Sequence, residues 1–139
     1  DDQGTALTLY PGLFSLRVIT ARQLADDITG RLFEQSSNEM VFAVTPQVVS
    51  VAGLGGPPAA RQFRVTLFGS YLRDELDIQV SVGGVVLRRD ADTTTAGNYD
   101  FAPNTGQIDF AVDTTTRPSP LPVNVLIGGA GSTPAWAEF

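Results

Sequence analysis

Along most of this chain, apolar and polar residues alternate with a period of two. In "RQFRVTLFGSYL", Phe63, Val65 and Leu67 alternate with Arg64, Thr66 and Phe68. In "LDIQVSVGGVVL", Ile78, Val80 and Val82 alternate with Asp77, Gln79 and Ser81. In "GQIDFAVD", Ile108, Phe110 and Val112 alternate with Asp109, Ala111 and Asp113. Leu121, Val123, Val125 and Ile127 share one face of "PLPVNVLIGG". Successive side chains of a strand point to opposite faces, so each run predicts a half-buried strand. Such alternation favours antiparallel sheets with one wet face. Turn chemistry separates the runs, at "GLGGPP" 53–58, "TTTAGN" 93–98, "PNTG" 103–106, "RPSP" 117–120 and "GGAGS" 128–132. Gly83–Gly84, between two valine-bearing runs, predicts a tight primed hairpin turn. The one helix candidate is "ITARQLADDITGRL", 19–32, where Leu24 and Ile28 stand four apart. Its β-branched residues and Gly30 weaken a helix, and make a long loop or a hairpin an equal expectation.

From Pro46 to Phe139 the pattern predicts about seven short strands, the size and rhythm of an immunoglobulin-like β-sandwich. Before it, "SSNEMVFAVTP" (36–46) reads like an ending: a polar turn, a short apolar strand, and Pro46, which cannot donate to a ladder. The true end has the same grammar. Residues 107–139 run strand "QIDFAV", Pro-rich turn, strand "LPVNVLI", Gly-rich turn, strand "PAWAEF". Residues 5–44 run strand "TALTLY", turn Pro11–Gly12, strand "LFSLRVIT", a longer connection, then "EMVFAV". A repeat of this kind suggests tandem domains. Residues 1–45 are therefore expected to be the C-terminal strands of a preceding domain, and 46–139 a complete one. The alternative is an irregular extension packed on a single sandwich. Three amphipathic strands without a partner sheet are marginal, so missing chain or a neighbouring subunit is expected to cover them.

The residues "PQVVSV … RVTLFGSYL … DIQVSVGG … GQIDFAV … LPVNVLIGG … AWAEF" resemble an IPT/TIG domain. That family is an immunoglobulin-like fold of transcription factors, cell-surface receptors and bacterial multidomain proteins. The resemblance implies that Gly69 makes a turn, that Tyr71 and Leu72 plug the core, and that Gly83–Gly84 match the family's paired glycines. "PGLFSLRV … SSNEMVFAV" is similar to the family's closing strands, while "GGPPAARQ" departs from the Gly-Gly-Thr usual before the second strand. "PGLFSLRV … SNEMVFAVTPQV" also resembles the tail regions of cap, or tail-terminator, proteins of phage-tail-like contractile injection systems, without their N-terminal sheath-capping domain.

Composition removes most chemistry. The chain has no cysteine, no histidine and no lysine, and its nine basic residues are all arginine. Thiolate metal sites, His-based triads and Ser-Lys chemistry are excluded. A net charge of −6 argues against a nucleic-acid partner. No apolar run approaches the roughly 18 residues of a membrane span. The start "DDQGTALTLY" lacks signal-peptide features, and an Asp1 start predicts a mature or trimmed piece of a longer protein. Asp90, Asp92 and Asp100, or Asp74, Glu75 and Asp77, offer oxygens to calcium, but their spacing matches no EF-hand and a solvated acidic face is the expectation. Asp109 and Asp113 have nothing beside them to raise one pKa for glycoside hydrolysis. "GLGGPP" and "IGGAGS" read as turns rather than phosphate loops. Trp136 and Tyr99 offer rings to a sugar, against packing of Trp136 on its own sheet.

No catalytic, cofactor or metal residue is therefore expected. The reading is a non-enzymatic structural or assembly module of a larger multidomain protein, which the resemblance places in a phage-tail-like or contractile-injection particle. The alternatives are a cell-surface module that binds glycan or protein, and an accessory domain of a larger secreted enzyme. Partners are expected to be protein, either other subunits, including copies of this chain, or missing parts of it. An extracellular or particle-associated setting is favoured.

Overall fold

A computed structural model describes residues 9–23 and 32–139, and among these the chain is all-β. The sole helical element among them is a 3-10 turn at Pro58–Ala60, opened by prolines whose φ is already set and which donate nothing. No helix among the described residues is long and apolar enough to cross a membrane.

The first four strands are β1 (Gly12–Leu16), β2 (Ile19–Gln23), β3 (Leu32–Ser36) and β4 (Met40–Val44). β1 pairs antiparallel with β4, and β2 with β3, in nearly one register, so residues 12–23 and 32–44 form a two-stranded ribbon. "ITARQLADDITGRL" thus begins and ends in paired strands, which is the hairpin alternative; residues 24–31 lie outside the described residues. The expected strand "LFSLRVIT" breaks at Arg17–Val18, where Ser37 Oγ accepts the Val18 N–H at 2.8 Å. Ser37–Asn38 is accordingly a break inside a long strand, opposite that point, and not a turn between strands. Of "TALTLY", residues 5–8 lie outside the described residues, and Leu9 and Tyr10 are not strand.

The remaining strands are β5 (Val48–Gly55), β6 (Arg61–Leu67), β7 (Ile78–Val82), β8 (Val85–Val86), β9 (Arg88–Arg89), β10 (Asn98–Phe101), β11 (Gln107–Val112), β12 (Leu121–Ile127), β13 (Ala130–Gly131) and β14 (Ala135–Ala137). One sheet has the order β5-β6-β11-β10-β9, and the other β13-β12-β7-β8 with β14 also on β12. Every pairing is antiparallel except β9 with β10.

Both sheets turn their apolar phase to one core, a β-sandwich-like arrangement. Phe63, Val65, Leu67, Ile108, Phe110 and Val112 come from one sheet, and Val80, Val82, Leu121, Val123, Val125 and Ile127 from the other. Ile78, expected in the core, packs at its margin and is partly buried. The Phe63 and Phe110 rings stack at 5.5 Å across the β6–β11 register. Leu72 is buried in the same core, while Tyr71 is only partly so. Gly83 and Gly84 link β7 to β8 with φ of 58° and 82°, the two left-handed residues that a primed two-residue turn needs.

Candidate functional site

The ribbon is where apolar surface is left uncovered. Its register places Gly12, Phe14 and Leu16 on one face with Val44, Phe42 and Met40 opposite them. Leu13 and Ser15, with Ala43 and Val41, occupy the other face. Neither β1 nor β4 contains a charged residue. Phe14 and Phe42 stack across the strands at 5.7 Å and half-bury each other. Leu16, Met40 and Val41 remain 56%, 65% and 69% exposed. A ribbon of two strands with apolar residues on both faces cannot dry either face by itself.

Its root, by contrast, is fixed to the sandwich. The Leu13 N–H donates to the Gly128 carbonyl at 3.1 Å, and a side chain on Gly128 would meet the Gly12 backbone at 3.1 Å. Pro46 is buried, and its carbonyl accepts the Thr133 N–H at 3.1 Å. Thr133 Oγ1 in turn accepts the Val48 N–H at 3.0 Å. Beside the root, the Tyr10 and Tyr71 rings meet at 6.1 Å, and the Arg73 guanidinium lies 4.8 Å from the centre of the Tyr10 ring and donates to its hydroxyl. Tyr10, Val44, Gln47, Phe68 and Tyr71 line an open groove of about 520 Å³. The Tyr71 hydroxyl is buried there without a hydrogen-bond partner among the described residues, and burial pushes its pKa up. Phe68, the residue just after β6, stands exposed in the phase of Arg64 and Thr66. That violation of alternation was visible in the sequence, although its meaning was not.

Asp74, Asp90, Asp92, Asp100, Asp109 and Asp113 are drawn into local ties instead of one site. Asp92 accepts from the Thr94 N–H, the Thr94 hydroxyl and the Thr95 hydroxyl, which hold its carboxyl below the usual range. Asp90 accepts from Arg88 and from the Asp92 N–H, and Asp100 from Arg89. Arg89 also reaches Asp74 at 2.6 Å and lies over the Phe101 ring, tying the loop before β7 to β9 and β10. No group of three metal-ligating side chains stands together among the described residues. Asp109 is held bidentately by Arg64 across the β6–β11 ladder, with contacts of 2.7 and 2.9 Å. Asp113 accepts from the N–H and hydroxyl of Thr115, which lower its pKa. The two sugar-platform candidates separate. Tyr99 is buried with its hydroxyl on the Ile78 carbonyl, whereas Trp136 is 54% exposed.

Comparison with protein-family models, with curated proteins and with solved structures finds no match to this chain.

Proposed function

We propose that the chain is a non-enzymatic structural or assembly module built from immunoglobulin-like domains of the IPT/TIG type. Residues 46–139 form the complete domain, and 1–45 are the closing strands of a preceding one. The setting we favour is a larger multidomain protein of a phage-tail-like or contractile-injection particle. Strand order supports the domain type. The immunoglobulin arrangement places the first, second, fifth and fourth strands in one sheet, and the third, sixth and seventh in the other. β5-β6-β11-β10 and β7-β12-β14 follow that order. The seven strands of three or more residues from β5 onward supply that set.

The observation that carries the assembly role is the β1–β4 part of the ribbon, whose strands hold no charged residue, anchored at its root and apolar on both faces beyond it. Such a surface demands cover, and sheet edges recruit strands. The cover in this reading is another polypeptide segment, either the front half of the preceding domain or a neighbouring subunit. A catalytic role has little support, because the carboxylates engaged by Arg64, Arg89, Thr94, Thr95 and Thr115 have no neighbour poised to exchange a proton with them.

Hydrogen exchange tests the reading. In the isolated chain, the amides of Leu13–Ile19 and Met40–Val44 should exchange quickly past the root. In the intact particle or full-length protein, they should be protected at least as well as those of β12. Equal, fast exchange in both would leave the ribbon a bare linker and overturn the assembly role.

A further inference from the structure

We propose that the groove between β5 and β14 is a binding site for a neutral oligosaccharide, with the Trp136 indole as its stacking platform. The two strands are edges of different sheets: among the described residues, β5 pairs only with β6, and β14 only with β12. They run beside each other without a ladder between them, and the groove they leave has a volume of about 580 Å³. Pro134, Trp136 and Glu138, at intervals of two, line one side of it; Val49, Ser50 and Gly53 line the other.

The chemistry of this lining is that of sugar recognition. The indole offers a broad apolar face to the C–H side of a pyranose ring. The Glu138 carboxylate accepts from hydroxyls, and the Ser50 hydroxyl both donates and accepts. Past Val48, whose N–H is held by Thr133, the side of β5 away from β6 carries no ladder among the described residues, so its backbone groups add fixed donors and acceptors. At Gly53, where a side chain would project, the space is open, so a ring can approach the main chain. The outward phase of the adjoining sheet continues from Trp136 through Pro122 and Asn124 to Ser81 without a charge.

Two observations select the ligand class. Glu138 in the groove and a net charge of −6 repel anionic glycans, which leaves neutral ones. β5 carries bulges at Val48/Ser50 and Gly53/Gly55, and these break the even edge that an added protein strand would need. No residue of β1 to β4 lines this groove, so the proposal does not rest on the assembly role.

Trp136 is the chain's single tryptophan, so its fluorescence reports the site directly. The 139-residue chain would be applied to an array of neutral and acidic glycans, and neutral binders titrated by fluorescence. We expect saturable binding to at least one class of neutral hexose or N-acetylhexosamine oligosaccharide, with a change in Trp136 emission, and none to sialylated or uronate-containing glycans. Trp136→Ala should weaken binding about tenfold or more, and Trp136→Phe less, since a smaller ring still stacks. Both variants should keep the parent melting temperature, because the indole lies outside the core. No binding to any neutral glycan, preference for acidic ones, or undiminished binding by Trp136→Ala would each overturn the site.

Discussion

Phe110 shows how one side chain ties the molecule together. It is fully buried, stacks on Phe63, and sits where the two sheets close on each other. Phe110→Ala should destabilise the chain by about 3–5 kcal/mol in urea melts, because the lost transfer energy adds to a cavity that rigid neighbours fill poorly. A loss below ~1 kcal/mol would mean that the surrounding sheets collapse onto the void. The alternation rule reads this residue well, since Ile108, Phe110 and Val112 occupy one phase and all are buried. It cannot read Tyr71. A tyrosine looks the same in sequence whether its hydroxyl has a partner or not, and here burial leaves it without one among the described residues. Nor does it read Trp136, an aromatic that takes the outward phase of β14 while the small Ala135 and Ala137 take the buried one.

At the scale of elements, turns depend on a few glycines for different reasons. Gly83–Gly84 is needed for its positive φ, which the dipeptide announces by itself. Gly106 is needed for space: a side chain there would lie 2.1 Å from the Gly69 carbonyl oxygen and 2.9 Å from that of Leu67. Its own carbonyl accepts the Leu67 N–H at 2.7 Å, so it closes the end of the β6–β11 ladder. Gly106→Ala should therefore cost at least about 2 kcal/mol by overpacking against backbone that cannot yield. Calorimetry of the variant checks this, and an unchanged melting temperature would show that the 67–70 turn moves aside. Strand phase was legible here because it is local. The break at Arg17–Val18 was not, because it exists only through Ser37 on the facing strand.

For the whole molecule, the decisive contrast is between a sandwich with a shared core and a ribbon with none. Residues 46–139 expressed alone should keep a well-dispersed amide spectrum, whereas 1–45 alone should lose theirs. The root bonds, Leu13 to Gly128 and Thr133 to Pro46, hold the ribbon in place but leave Leu13, Leu16, Val18, Ile19, Met40 and Val41 exposed. A well-dispersed 1–45 fragment would contradict this. The sequence by itself determined the all-β class, the phase of β6, β7, β11 and β12, the Gly83–Gly84 hairpin and the absence of thiol, imidazole and lysine chemistry. Each of these follows from residue type and spacing along the chain. Only the tertiary structure decided that residues 12–23 pair with 32–44, that Asp74, Asp90, Asp92, Asp100, Asp109 and Asp113 pair with arginines and threonines, and that Tyr99 is buried while Trp136 borders a groove. These depend on which strands become neighbours across the sheets, and that is settled by the packing of the common core.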